Sequence, residues 1–146
     1  MFVLDTNVVS ELRKAKAGRA DARVTAWAAS VPTLALFLSA ITILELETGA
    51  LLVARRDPAQ GTLLRAWLDR HVLPAFAGRV LAVDTAVAQR CARLHIPDRR
   101  ADRDALIAAT ALVHGMTVVT RNVADFAPAG APLLDPWQHG SVRAAR

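Results

Sequence analysis

The stretch FVLDTN at residues 2–7 decides the fold of this chain, because an apolar run ends in an aspartate almost at the N-terminus. Phe2 to Leu4 predict a short buried strand, and the residues from Asn7 to about Lys16 have the pattern of a helix. Side chains on both faces of this strand are apolar, which is typical of a parallel sheet covered by helices. Asp5 is therefore expected directly after the carboxyl end of a strand.

The rest of the chain continues this alternation, without an internal repeat or a linker. Further strands are predicted at Leu34–Ser39, Val80–Val83, Thr117–Thr120 and Pro132–Leu134. Further helices are predicted at Asp21–Ser30, Ile43–Arg55, Ala59–His71, Thr85–Leu94 and Arg103–His114. Asp84 is placed to cap one helix and Gly115 to end another. Strands that alternate with helices predict an α/β sandwich with a mostly parallel sheet.

Composition limits the classes of protein to which the chain can belong. Its 146 residues suit one domain, and a hydrophobic share of 53% is typical of an ordered protein. The longest apolar stretch, Val31 to Leu44, is too short and too interrupted to span a bilayer, so no membrane partner is expected. The start has no pattern of a signal peptide, and the lone cysteine, Cys91, fits a reducing cytoplasm. The net charge of +5 favours an anionic partner such as nucleic acid.

Three further motifs place a carboxylate or an amide next to an apolar run. They are SAITILE at residues 39–45, DRDALIAA at residues 102–109 and VVTRNVADF at residues 118–126. Ligands of parallel sheets bind beyond the carboxyl ends of the strands, where Asp5, Glu45 and Asn122 are expected. Asp104 opens the helix before the strand that leads to Asn122. Acids that converge there would repel one another unless a hard cation neutralised them, so the pattern favours a metal site.

Each acid also has a local explanation that needs no chemistry. Asp5 is placed to cap a helix, and Thr42-x-x-Glu45 has the pattern of a capping box. Asp104 lies in the first turn of a helix, where the dipole favours a carboxylate, and Asp102 is the better N-cap candidate. These explanations do not account for the combination of acids at one end of several sheet elements in a basic protein.

Together the four motifs resemble the PIN domain, and more narrowly the VapC/FitB-type toxins of bacterial and archaeal toxin–antitoxin modules. The match runs from Met1 to Trp137 in the order and spacing of the family. The resemblance implies a PIN-like three-layer α/β/α sandwich as a single domain over residues 1–137. Residues 138–146 are expected to form a C-terminal tail.

The resemblance also implies the residues of a site for Mg²⁺, in which Mn²⁺ can substitute. Asp5, Glu45 and Asp104 match the first three acids of that site. The position of the fourth acid is Asn122, with Asp125 three residues later, and either of the two is a candidate to complete the site.

Two hydroxyls, those of Thr6 and Thr120, match polar positions around the same site. Asp5, Glu45, Asp104, Asn122, Asp125, Thr6 and Thr120 are the expected catalytic set.

A metal-dependent endoribonuclease toxin is the activity that the resemblance implies, with a metal-activated water that hydrolyses the RNA phosphodiester bond. Its expected substrate is a single-stranded loop of tRNA or rRNA, with Arg121 on the RNA backbone. Its expected partners are a VapB-like antitoxin and a second copy of the chain in a homodimer. The alternative is a catalytically weakened PIN scaffold that binds RNA or protein, in which Asn122 is a sign of lost chemistry.

Overall fold

The computed structural model describes residues 1–140 and has a five-stranded sheet at its centre. Its strands are β1 (Phe2–Leu4), β2 (Leu36–Ser39), β3 (Val80–Leu81), β4 (Thr117–Val119) and β5 (Leu133–Leu134). The strand order is β3-β2-β1-β4-β5, and each neighbouring pair is parallel. The predicted α/β fold with a mostly parallel sheet is confirmed. Of the tail expected at residues 138–146, residues 141–146 lie outside the described part of the chain.

Helices cover the sheet on both faces. They are α1 (Thr6–Arg13), α2 (Ala22–Ser30), α3 (Ala40–Arg56), α4 (Pro58–Trp67), α5 (Leu73–Ala75), α6 (Thr85–Leu94), α7 (Asp102–His114) and α8 (Val123–Phe126). A π-helical segment, Leu68–Val72, joins α4 to α5. Within residues 1–140, no helix has both the length and the apolar character needed to cross a membrane.

Two hydrophobic clusters make the three layers. Val3 of β1 and Val118 of β4 pack into one cluster with α6 and α7. Their chain neighbours Leu4 and Val119 pack into the other cluster, with residues of α1, α2 and α3. All four side chains are fully buried, and each contributes about 1.5–3 kcal/mol to the free energy of folding. The alternation along each strand therefore fixes which helices lie on which face.

The strand order reverses beside β1, and this reversal positions the site. From β1 the chain leads to β2 on one side of the sheet, and it later enters β4 on the other side. A crevice forms where the connections from two neighbouring parallel strands run in opposite directions. The carboxyl ends of β1 and β4 meet there, which places Asp5 and Thr120 side by side.

Several predicted elements are shorter in the structure than the apolar pattern indicates. The strand predicted from Leu34 begins at Leu36, because Thr33–Ala35 form a 3₁₀ turn in which the Ala35 N–H donates to the carbonyl of Pro32 at 2.9 Å. The helix predicted to reach Lys16 ends at Arg13. By contrast, Gly115 ends α7 as predicted, in the left-handed conformation with φ of 65°.

Candidate active site

Asp5 lies at the centre of the site, directly after β1. Its side chain is buried, with 5% of the residue exposed. One carboxylate oxygen, Oδ1, accepts a hydrogen bond of 2.8 Å from the backbone N–H of Thr6 and so caps α1. The other oxygen, Oδ2, accepts from the hydroxyl of Thr120 at 2.8 Å and from the side-chain amide of Asn7 at 3.3 Å. The helix-capping explanation is therefore correct for one oxygen only, and the second oxygen faces the crevice residues.

Thr120 connects the two halves of the crevice. Besides donating to Asp5, its hydroxyl accepts from the backbone N–H of Asn122 at 2.9 Å and from the Asn7 amide at 3.4 Å. The side-chain oxygen Oδ1 of Asn7 in turn accepts from the backbone N–H of Arg121 at 3.4 Å. These bonds hold the segment after β4 against the start of α1. Sequence analysis assigned no role to Asn7, and the only indication of one was its position two residues after Asp5.

Glu45 reaches the site from α3. Its Oε1 accepts a hydrogen bond of 2.7 Å from the hydroxyl of Thr6, and its Oε2 lies 3.8 Å from the guanidinium of Arg103. Thr6 thus orients Glu45 with its side chain and Asp5 with its backbone N–H. The two hydroxyls predicted around the site each hold one carboxylate.

The capping-box explanation of Glu45 is wrong. Helix α3 begins at Ala40 and is capped by Ser39, whose hydroxyl accepts from the backbone N–H of Ile41 at 3.0 Å. Thr42 is fully buried inside the helix, with its hydroxyl 3.5 Å from the carbonyl of Leu4. Since Thr42 does not precede the helix, Glu45 has no backbone group to cap.

Asp104 lies in the first turn of α7. The helix begins at Asp102, and its N-cap is Ala101, so the prediction of Asp102 as the cap is wrong. The Asp102 carboxylate lies instead 3.4 Å from the guanidinium of Arg99 and 3.6 Å from the His95 ring. Because Asp102 turns towards the loop that precedes α7, Asp104 is the acid of the motif that reaches the site.

The pKa shifts show that the acids act on one another. Burial raises the pKa of Asp5, against the effect of its hydrogen bonds, and the negative charges of Asp104 and Glu45 raise it further. Burial also raises the pKa of Asp104, and the charges of Asp125 and Glu45 add to that rise. Four carboxylates therefore share one electrostatic environment. A proton or a bound cation reduces the repulsion between the carboxylates of such a cluster.

Asn122 and Asp125 occupy the exposed rim of the cluster. The Asn122 carbonyl accepts from the backbone N–H of Asp125 at 3.1 Å, which starts α8. The Asn122 side chain makes no hydrogen bond within residues 1–140, whereas Asp125 acts on the pKa of Asp104. Which of the two would complete a metal site stays a prediction.

The donor set fits a hard cation. Carboxylate and amide oxygens are the ligands that Mg²⁺ and Mn²⁺ prefer, and the cluster offers no thiolate or imidazole. Within residues 1–140, no three acidic, histidine or cysteine side chains already stand in the arrangement of a metal site. The hydroxyl of Thr120 donates to Asp5, and the hydroxyl of Thr6 donates to Glu45. A cation bound by these carboxylates would have to displace these hydrogen bonds or share their acceptor oxygens.

Comparison with known proteins decides the family. Residues 2–127 match the PIN domain. The chain belongs to the PIN-domain family. VapC ribonuclease Y4jK of Sinorhizobium fredii is 41% identical to it over 94% of this chain and 99% of the relative. Toxin FitB of Neisseria gonorrhoeae is 36% identical over the same two shares.

Solved structures support the same fold. The crystal structure of FitAcB from Neisseria gonorrhoeae has a TM-score of 0.84 to this PIN domain, with 36% identity over 94% of this chain and 99% of that chain. A toxin–antitoxin complex from Klebsiella pneumoniae has a TM-score of 0.65, with 26% identity over 93% and 98%. The three-layer arrangement that the motifs implied is therefore that of the PIN fold.

Proposed function

We propose that this PIN domain is the toxin of a toxin–antitoxin module and that it cleaves RNA as an endoribonuclease dependent on Mg²⁺, with Mn²⁺ as a substitute. The observation that best supports the proposal is the cluster of four carboxylates beside the strand-order reversal, in which the charges of neighbouring acids raise the pKa of both Asp5 and Asp104. The printed names of two relatives, a VapC ribonuclease and the toxin FitB, support the activity and the biological class.

Each side chain of the cluster has a defined part in this proposal. Asp5, Glu45 and Asp104 would hold the cation, together with Asn122 or Asp125. When bound, the cation would supply an activated water and neutralise charge on the scissile phosphate.

The threonine hydroxyls keep the carboxylates in place. Thr6 orients Glu45, and Thr120 orients Asp5, so that the carboxylate oxygens stay within the crevice. Hydrolysis by water would leave a 3′-hydroxyl and a 5′-phosphate, and no side chain of the cluster needs to form a covalent intermediate with the RNA.

RNA binding would use the positive charge of Arg121, next to the site. Arg121 follows Thr120 directly, and its guanidinium lies 5.1 Å from the ring centroid of Trp137, a cation–π contact that limits where the charge can point. The proposed substrate is a single-stranded loop of tRNA or rRNA, because unpaired bases expose edges that duplex RNA hides. The proposed location is the cytoplasm.

The proposed protein partners are a VapB-like antitoxin and a second copy of the chain. A toxin–antitoxin complex is among the related structures. Leu51 and Leu52 of α3 and Leu63 of α4 are more than half exposed, and this apolar surface would suit a homodimer contact.

Cleavage of a cellular RNA pool tests the function. The purified PIN domain, with and without Mn²⁺, is compared with Asp5→Asn and with Asp84→Asn. Asp84 caps α6 by accepting from the backbone N–H of Val87 at 2.9 Å, so the control makes the same change at another N-cap. We expect discrete, Mn²⁺-dependent fragments from the wild type and the control, and none from Asp5→Asn.

Two further outcomes separate the alternatives. Absence of cleavage by protein that is free of antitoxin and binds Mn²⁺ would favour the weakened scaffold, in which Asn122 lacks the charge of an acid. If the wild type cleaves, Asp125→Ala and Asn122→Ala identify the remaining ligand, because only the variant of a ligand weakens Mn²⁺ binding.

A further inference from the structure

A cavity of about 430 Å³ opens beside the carboxylate cluster, between the loop that precedes α7 and the helix α8. Two arginines of the loop, Arg99 and Arg100, line it together with two acids of the site, Asp104 and Asp125. The remaining lining is apolar and includes Phe126. Its volume lies in the range of about 300–1,000 Å³ that is usual for sites of small molecules. The cavity is therefore large enough for one nucleotide unit next to the site.

Arg100 is held in place by its own loop. Its backbone N–H donates to Nδ1 of His95 at 3.0 Å, and its Nε–H donates to the carbonyl of Leu94 at 2.9 Å. Neither terminal amino group of its guanidinium has a partner within residues 1–140. Arg99 is more exposed, at 79% of its side chain, and its guanidinium lies 3.4 Å from Asp102. The loop thus presents two positive charges to the cavity, one anchored by its own loop and one exposed to solvent.

The charges that line the cavity suit a polyanion bound alongside the carboxylate cluster. The carboxylates attract a cation but repel the phosphates on either side of the scissile bond. Arginine pairs well with phosphate, because its planar group offers several donors at once. Positive charge on the wall next to Asp104 and Asp125 would offset that repulsion for one neighbouring phosphate.

We propose that this cavity is a nucleotide subsite for the RNA substrate. Arg99 and Arg100 bind a phosphate that flanks the scissile phosphate, and the apolar lining receives the sugar and base of that nucleotide. The inference rests on the proposed ribonuclease function and adds to it the residues that hold the substrate beside the cut.

Steady-state cleavage of a short single-stranded RNA tests the subsite, with a sequence that the wild type cuts. The double variant Arg99→Gln/Arg100→Gln is compared with Arg55→Gln/Arg56→Gln, which removes two exposed charges from the far end of α3. Ten residues of helix place Arg55 about 15 Å from Glu45, the residue of the site on α3. We expect KM to rise about tenfold in the first variant with kcat retained, as for the loss of a charge-assisted hydrogen bond, and no such rise in the control.

Chemical neutralisation of single phosphates tests the contact directly. Substrates that carry one methylphosphonate are cleaved by the wild type and by the Arg99/Arg100 variant. At one flanking position we expect the neutral group to raise KM for the wild type and to add nothing in the variant, because the same contact is already lost. If the double variant does not fold, Arg99→Gln alone serves, since it leaves both anchors of Arg100 intact.

The outcomes separate this proposal from the function on which it rests. A wild type that does not cleave RNA would overturn both. A wild type that cleaves, with KM values that match in both double variants, would overturn only the subsite. Additive losses at every methylphosphonate position would also overturn it, and so would unchanged KM with weakened antitoxin binding, which would assign the arginines to the protein partner.

Discussion

Substitution of Thr120 by valine tests how the site is built. The hydroxyl of Thr120 is fully buried, donates to Oδ2 of Asp5 at 2.8 Å and accepts from the backbone N–H of Asn122 at 2.9 Å. Valine keeps the shape of the side chain but removes these two bonds and the longer one from the side-chain amide of Asn7 at 3.4 Å. The main loss is the donor to a buried carboxylate.

The magnitude depends on the charge of Asp5. A hydrogen bond to an ionised group contributes about 1.5–3 kcal/mol, and a bond between neutral groups contributes about 0.5–1.5 kcal/mol. We therefore expect Thr120→Val to lower the free energy of unfolding by about 2 kcal/mol at a pH above the raised pKa of Asp5, where its carboxylate is charged. Below the ordinary pKa of 3.8, where Asp5 is protonated in the folded state, we expect about 1 kcal/mol.

The sign follows from the pKa of Asp5. In the wild type this pKa lies above the ordinary value of 3.8, so stability falls as the pH rises from 3.8 through the raised pKa. The bond from Thr120 opposes that rise in pKa. Its removal raises the pKa further and makes the loss of stability with pH larger.

Urea denaturation in the presence of a chelator measures both values. The matched control is Thr110→Val, because Thr110 is equally buried but donates to a neutral backbone carbonyl, that of Leu106, at 2.7 Å. Its effect should not depend on pH. The same loss in Thr120→Val at both pH values would show that the hydroxyl does not stabilise a charged Asp5.

Other predictions concern α3 and α4. Gly61→Ala should destabilise the protein by about 1–3 kcal/mol in urea denaturation, because its Cβ would overlap Cα and Cβ of Ala54. Gly49→Ala has open space at its Cβ and should stabilise by up to about 1 kcal/mol; equal effects would contradict this packing. Arg65→Met should cost about 1 kcal/mol at neutral pH and low salt, because Arg65 binds Glu47 at 2.5 and 2.9 Å near the surface. Since Arg65 lowers the pKa of Glu47 below 4.5, that cost should shrink as the pH falls below 4.5, and a cost that persists in acid would refute the ion pair.

Strong local signals made much of the fold predictable. Apolar runs at Phe2–Leu4 and Thr117–Val119 identified two central strands, because a parallel sheet buries both of their faces. Asp84 capped α6 and Gly115 ended α7 as predicted, since each acts on groups within its own turn. The family motifs added the order of the acids.

Choices between neighbouring polar residues were not predictable. Both Ser39 and Thr42 are good N-cap types, and the contact of Thr42 with Leu4 of β1 decides between them. Likewise Asp102 does not cap α7, because its carboxylate turns towards Arg99. Such decisions depend on side chains that are distant in sequence or in another loop.

The residues of the candidate site could be named from the sequence, whereas the hydrogen bonds between them could not. The bond from Thr6 to Glu45 spans 39 positions, and the bond from Thr120 to Asp5 spans 115. Nothing in the local pattern indicates these partners or the contact of Arg103 with Glu45. They depend on the strand order, which brings the ends of β1 and β4 together.

Calorimetric titration of Mn²⁺ would show whether the four carboxylates form one cation site. Wild-type protein, Asp5→Asn, Asp104→Asn and the control Asp84→Asn are titrated at neutral pH, and their thermal unfolding is followed with and without the ion. We expect saturable binding and a higher Tm in the wild type and the control, with both effects lost in either site variant. Equal binding by all four proteins would exclude a cation site at these carboxylates.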